Sequence, residues 1–428
     1  MGVCQKRLAE IIYKLDGVEM NILIINHYAG SPEMGMEFRP YYFAREWLKM
    51  GHKVDIITAD YSHLRRINPD VKNDFEKENI DGINYHWVKT GSYDGNGVKR
   101  ALTMAKFVSK LWIHAGEIIK DIAPDVVIDS STYPLDTYVG QRIRRKSKKK
   151  VKVIHEVHDM WPATLIEVGG MSKYNPFVVA MQIGENSAYR NSDYVVSLLP
   201  NAENYMIEHG LKKGKFKCIP NGIVLDEWNN PENIPNLHQD SFDKLKSEGK
   251  FIVGYFGGHA LSNALDELLN IAKIIDDSEI KFVLVGDGVE KDKLIVKAKE
   301  EHIENVMFLP SVNKRCIPKL CENLDCIFMC GHETPLYRFG LCLNKMFDAM
   351  ASGKPSICAM NVDSYFTEYG CGFDENIEDT EKICKLIKKI KVMNADEREM
   401  ILLAGKNAVN DRFNYKQLSN EFLSLMKE

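Results

Sequence analysis

Short apolar stretches with the character of buried strands recur along the first half of the chain, at Asn21–Ile25, Lys53–Thr58, Ile83–Val88, Asp125–Asp129, Lys152–Val157 and Tyr194–Leu198. Segments of helical spacing lie between them, such as Ala101, Met104, Val108, Leu111, Ala115 and Ile118. Strands separated by helices return in parallel, because a parallel pair needs a crossover. The pattern restarts at Phe251–Phe256, Phe282–Val285, Val306–Leu309, Cys326–Met329 and Ser356–Ala359. The fold class expected is α/β, with two Rossmann-like, doubly wound domains facing a cleft. A length of 428 residues agrees, since it exceeds one ordinary core. The expected bounds are 20–225 for the first domain, 226–250 for a polar linker containing Pro231 and Pro235, and 251–410 for the second. Residues 411–428 are expected to form a terminal helix crossing back to the first domain. Leu8, Ile11, Ile12 and Leu15 have helical spacing in the leader, to which no function is assigned.

A formal net charge of -4 argues against a general nucleic-acid binder. No run of 18 apolar residues is present, and the first residues lack the apolar core of a secretory signal. Lys6 also breaks the myristoylation pattern. Ten cysteines are scattered with no Cys-x2-Cys pair, which suits reduced, buried thiols in a cytoplasmic protein better than a zinc site. No metal is expected: His155 and His158 fall on different faces of their strand. The local exception to the mild negative charge is Arg142–Lys152, with eight bases in eleven residues. It reads as a solvated helix end or, the reading preferred here, as a patch for an anionic membrane surface.

The chemistry concentrates in residues 335–355. Arg338 and Gly340 precede a short helix from Leu343 to Ala351, which Ser352-Gly353-Lys354-Pro355 stops. A loop feeding a helix N-terminus offers backbone N–H groups and a positive dipole end to an anion. Lys345 in the first turn is unfavourable there unless an anion binds, so its placement points to phosphate. Asp348, one turn on, is placed to accept bonds from hydroxyls beyond the phosphates. The plainer reading is a buried helix with two solvated charges.

The loop Gly257-Gly258-His259 after a strand is a second anion candidate, with His259 available to a donor phosphate or sugar. Asn263 is expected to cap the following helix, with Asp266 at its third position. The long first loop carries Tyr28, Glu37 and Arg39, and is not Gly-x-Gly-x-x-Gly, which suits substrate contact rather than a dinucleotide. His158, Asp159 and Trp161 end a strand at its carboxyl edge, where such sheets bind ligands.

These pieces resemble the nucleotide-sugar glycosyltransferases of family 4, which are retaining and have the GT-B fold, and most of all the bacterial capsule, O-antigen and surface-polysaccharide members. The resemblance rests on Met36–Trp47 with Gly51-His52, His158–Pro162, Pro220-Asn221-Gly222, Gly257–His259 with Asn263–Asp266, Leu284–Gly288, and Tyr337–Gly340 through Asn344-Lys345 to Asp348–Pro355. It implies a nucleotide-sugar donor, UDP-linked, and a glycan acceptor on a lipid, with no cofactor and no metal. Consistent with that, no Asp-x-Asp pair occurs in the chain. Lys345, Arg338, His158 and Asp159 become the catalytic candidates. Gly257, Gly258, His259, Asn263, Gly340, Leu341, Asn344 and Asp348 become the donor candidates, and Tyr28, Glu37, Arg39 and Trp161 the acceptor candidates. The chain departs from the family at Gly340, where many members carry the first of two glutamates eight residues apart. The alternatives are a sugar-nucleotide 2-epimerase on the same fold, and a nucleotide-sugar-binding subunit without activity of its own.

Overall fold

The computed structural model describes residues 19–35, 38–95 and 97–428. The leader helix expected around Leu8–Leu15 lies outside them. The chain divides into two compact units, 1–220 with Leu418–Glu428, and Asn221–Gln417.

The first unit holds an eight-stranded sheet in the order β3-β4-β2-β1-β5-β6-β7-β8. Its strands are β1 (Asn21–Ile25), β2 (Lys53–Ala59), β3 (Glu76–Ile80), β4 (Ile83–Val88), β5 (Val126–Asp129), β6 (Lys152–Val157), β7 (Tyr194–Ser197) and β8 (Phe216–Cys218). All pairs are parallel except β3 with β4. Strand β3, Glu-Lys-Glu-Asn-Ile, is a half-exposed edge with no apolar alternation, so the sequence pattern passes over it. Helix α1 (Arg39–Lys49) lies between β1 and β2, α2 (Val98–Ile113) between β4 and β5, and α3 (Thr137–Lys146) between β5 and β6.

The second unit holds a six-stranded parallel sheet in the order β11-β10-β9-β12-β13-β14. Its strands are β9 (Phe251–Phe256), β10 (Ile280–Val285), β11 (Val306–Leu309), β12 (Cys326–Cys330), β13 (Ser356–Ala359) and β14 (Phe373–Glu375). Residues 226–250 are not the open linker expected. Helix α4 (Asn236–Ser247) occupies them, and His238, Phe242 and Leu245 are buried along one face. That i, i+4, i+7 stripe packs Phe242 and Leu245 into the core of the second unit, and His238 bonds the Pro310 carbonyl at 2.9 Å.

Helices α5 (Leu265–Ile274) and α6 (Asn344–Ser352) follow β9 and β12 in that unit. Helix α6 stops at Gly353, whose φ of +66° is the left-handed conformation that favours glycine. Met346, Phe347 and Met350 fill the core beneath it. The terminal helix α7 (Tyr415–Lys427) enters the first unit from Leu418 onward. Phe422 packs on Phe43 and Trp47 there, and the Trp47 indole donates to the Ser419 carbonyl at 3.1 Å.

In each sheet the strand order reverses once, beside β1 and β5 in the first and beside β9 and β12 in the second. Open α/β sheets bind ligands outside the carboxyl ends of strands at such points.

Candidate functional site

In the second unit, β9 is followed by Gly257, with φ +138°, and Gly258, both exposed. Gly286 sits against them so closely that a Cβ on it would come within 1.9 Å of the Gly257 carbonyl oxygen. A Cβ on Gly288 would come within 2.4 Å of the His259 carbonyl oxygen. Backbone bonds lock the two loops together: Gly257 N–H donates to Val285 at 3.0 Å, and His259 N–H to Asp287 at 2.8 Å.

Lys345, second residue of α6, reaches into this corner. Its ammonium donates to Tyr255 Oη at 3.1 Å and Asn263 Oδ1 at 3.3 Å, and lies 4.4 Å above the Tyr255 ring. Tyr255 Oη donates onward to the Gly258 carbonyl at 2.7 Å, and Asn263 Nδ2 to the same carbonyl at 2.9 Å. The lysine is thus positioned entirely by neutral groups, and has no carboxylate partner among the described residues. Burial pushes its pKa down to about 8, with the neighbouring Cys330 and Cys358 thiols opposing. Among the described residues, no side chain caps the N-terminus of α6 at Leu343. A half-buried cation without a counter-charge, an uncapped helix end and open glycine backbone therefore share one corner. That arrangement leaves room for an anion to complete it.

The other donor candidates divide. Asn263 does not cap α5: it lies in a 3-10 turn, and Ala264 with φ +45° precedes the helix, which frees the Asn263 amide to bridge Lys345 and Gly258. His259 is not at the surface. It is fully buried, ringed by Tyr255 and Phe308, and neither ring nitrogen meets a partner among the described residues. Burial, with Lys291 adding to it, pushes its pKa down to about 4, so the ring is neutral at physiological pH.

Leu341 is a core side chain rather than an open contact. The Gly340 N–H is spent on the Tyr337 carbonyl at 2.9 Å. Asn344 is exposed at the first position of α6. Arg338 is exposed, donates to the Pro335 carbonyl at 2.7 Å and stacks on its neighbour Phe339 at 4.3 Å. Asp348 is covered; its carboxylate lies 3.8 Å from the Lys314 ammonium, and burial raises its pKa while Lys314 opposes. Tyr255 and Lys314 are the residues that sequence reasoning missed. Tyr255 reads only as a strand aromatic, and Lys314 as one more base in a loop.

At the end of β6, in the first unit, the charges are matched. Arg39 is not an open acceptor contact. It is buried, pairs with Glu156 at 2.9 Å and donates to the Ile219 and Pro220 carbonyls at 2.7 Å each. Burial alone would raise the Glu156 pKa, but the Arg39 guanidinium and the bonds from His158 and Ser130 hold it well below the usual carboxylate range. Ser130 Oγ donates to Glu156 at 2.6 Å, and His158 Nε2 lies 2.9 Å from Ser130 Oγ and 3.2 Å from Glu156.

Asp159 holds its own turn, accepting from the Met160 N–H at 2.8 Å, the Thr164 hydroxyl at 2.7 Å and the Trp161 indole at 3.0 Å. Trp161 is half-buried, with Phe177 at its edge. Tyr28 is fully buried, its ring under the Arg100 guanidinium at 5.4 Å, so it too is not the open contact expected. Glu37 lies outside the described residues.

Nearly the whole chain follows the GT-B architecture of glycosyltransferases. A crystal structure of a protein from Anabaena, solved with UDP and glucose, superposes with a TM-score of 0.65 at 16% identity, over 96% of this chain and 100% of that one. Residues 34–227 match the model of Glycosyltransferase Family 4, and residues 238–407 that of Glycosyl transferases group 1. The chain belongs to the glycosyltransferases of the family 4 type.

Among curated relatives, an uncharacterised 41.2 kDa protein of the cps region of Klebsiella pneumoniae is 26% identical over 52% of this chain and 57% of its own length. WcaI of Escherichia coli strain K12, provisionally named a colanic acid biosynthesis glycosyl transferase, is 23% identical over 44% of this chain and 46% of its own. The chain spans about half the length of the curated relatives it matches.

Proposed function

We propose that the protein moves a sugar from a UDP-linked donor to a glycan acceptor carried on a lipid, with retention of configuration and without a metal, in building a surface polysaccharide at the cytoplasmic side of the membrane. The observation that carries the reading is Lys345: a cation seated by neutral groups beside an uncapped helix end and the open Gly257-Gly258 backbone. The Anabaena structure with UDP and glucose, and the cps and colanic acid relatives, support the donor and pathway class.

In this scheme the bond from the sugar carbon to the diphosphate oxygen breaks as the acceptor oxygen bonds to that carbon on the same face. A phosphate oxygen takes the acceptor's proton. Charge growing on the diphosphate is met by Lys345, the α6 dipole and the Gly258 N–H, with Arg338 as a second cation. Asp348 beside Lys314 meets the ribose. His158, seated on Ser130 and Glu156, orients the acceptor hydroxyl, and Asp159 positions Trp161 against the acceptor. No protein nucleophile is used, unlike most retaining glycosidases.

The test is to incubate the protein with candidate UDP-sugars, with and without a lipid-linked acceptor. Donor consumption that requires the acceptor is expected. Free epimer formed without the acceptor would replace the reading with the epimerase. No product under either condition would replace it with a binding subunit.

A further inference from the structure

Helix α2 presents an unusual outer face. Val98, Leu102, Ala105, Ser109 and Trp112 recur in steps of four and three, so they form one stripe along 16 residues, about 24 Å. All five are exposed, and Val98 is 76%, Leu102 62%, Trp112 42% and Ile113 64% accessible. The opposite side of α2 is ordinary core, with Met104, Phe107 and Leu111 buried. Scattered exposed apolar residues are normal, but a helix-long stripe is not.

The stripe ends against the basic tract. Helix α3 packs beside α2, and the Arg142 guanidinium stacks on the Trp112 ring at 3.3 Å. The eight bases of Arg142–Lys152 are not all free. Arg144 is tied to Asp193, Lys149 to Asp125 and Lys152 to the Leu425 carbonyl. Arg145, Lys146, Lys148 and Lys150 are exposed and have no hydrogen-bond or ion-pair partner among the described residues. An apolar stripe with a tryptophan, continuous with unpaired bases, is complementary to a surface with negative head groups above hydrocarbon. A folded protein partner would need to supply both features in the same order.

We infer that the outer face of α2, with the bases at the end of α3, seats the first unit on an anionic lipid bilayer, with Leu102, Trp112 and Ile113 entering the head-group boundary. This deepens the transfer reading, because the start of the same helix borders Trp161, an acceptor candidate that is only half-buried. Arg100 lies over the rings of both Tyr28 and Trp161, at 5.4 and 5.8 Å. A lipid-linked acceptor would then meet the protein where its membrane-seated helix begins.

The experiment sediments the full chain with vesicles, with no nucleotide sugar present, so that its outcome is independent of transfer activity. Binding to vesicles containing phosphatidylglycerol, weakened by salt and lost on phosphatidylcholine alone, is expected. Replacing Arg145, Lys146, Lys148 and Lys150 by alanine, singly and together, should weaken binding about fivefold per base. Leu102→Ala with Trp112→Ala should weaken it by roughly tenfold or more. Lipids brominated in the upper acyl chain should quench tryptophan emission in the natural protein, and distinctly less in Trp112→Phe, a variant that keeps the fold by keeping the aromatic. Equal binding to both vesicle types, unchanged binding of the four-base variant, or quenching that Trp112→Phe leaves intact would overturn the inference. So would a lipid-free oligomer, seen by light scattering, that Trp112→Glu dissolves, since the stripe would then be an interface between copies of the chain.

Discussion

At the end of β6 the Glu156 carboxylate is buried beside Arg39, and Ser130 and His158 add further bonds. Past the end of β9 the Lys345 ammonium is half-buried against a phenol, an amide and an aromatic face. Both charges stand near the point where a parallel sheet reverses its strand order. The first is answered by a buried counter-charge; the second, among the described residues, is answered only by neutral dipoles. A buried charge with its counter-charge in place is scaffold, and removing one partner strands the other. A charge held by neutral groups keeps a depressed pKa and an unfilled demand for an anion. On the proposed reading, the difference separates an ion pair that holds the shape of the first unit from a cation that meets the donor.

The largest effect should fall on the scaffold side. Arg39→Leu leaves Glu156 buried without its cation, and also removes donors from the Ile219 and Pro220 carbonyls. A loss of about 3–5 kcal/mol is expected, read as a lowered urea midpoint with the slope unchanged. A shift of less than a quarter of that size would mean that Arg39 is replaceable and that the two corners are not so different.

Next comes the binding side, where the expected signature is reversed. Lys345→Ala should leave the urea midpoint nearly unchanged, since the natural side chain is already penalised by burial. It should lower kcat by roughly 10²–10³, the scale of one transition-state donor. Normal turnover in this variant would remove Lys345 from the chemistry.

Asp348→Ala probes a third situation, a covered carboxylate whose cation, Lys314, stands at 3.8 Å. Nucleotide binding should weaken by about 2 kcal/mol with little change in kcat once donor is saturating. Calorimetry with UDP alone reads this directly, and an unaltered affinity would return Asp348 to a purely structural role.

These corners were unequally legible in the sequence. The strand that carries Glu156 and the strand that leads into Gly257 stand out because buried parallel strands are continuous apolar runs. The edge strand Glu76–Ile80 and the three-residue β8 and β14 carry no such signal. Lys345 could be placed because a lysine in the first turn of a helix conflicts with the dipole, and that conflict is visible in one dimension. Arg39 could not be placed. It sits in a long loop-to-helix segment that looks open, and its partner is 117 residues away. His259 misled for a related reason: a glycine loop suggests exposure, but Gly286 and Gly288 allow a second loop to close over it. Local structure was readable; burial set by distant strands was not. The linker failed in the same way, because the apolar stripe of α4 is short and set in a polar frame, and its meaning appears only when the core of the second unit receives Phe242 and Leu245.

The smallest effect is also the one that tests the contrast without a mutation. Burial sets the Lys345 pKa at about 8 in the free protein. Below that value the lysine is charged and meets a nucleotide diphosphate; above it the proton must be taken up on binding. Bound anion raises the pKa, so affinity is full below pH 8 and falls as pH rises through it. Between about pH 7 and pH 9 the affinity for UDP should drop roughly tenfold, with net proton uptake seen as buffer-dependent binding heat on the alkaline side. The Glu156 carboxylate should be silent over this range, because it is held ionised far below it. In Lys345→Gln the alkaline fall should flatten while the weaker residual binding persists. A fall of the same size in that variant would assign the titration to another group, and with it the claim that the cation on α6 is the one awaiting an anion.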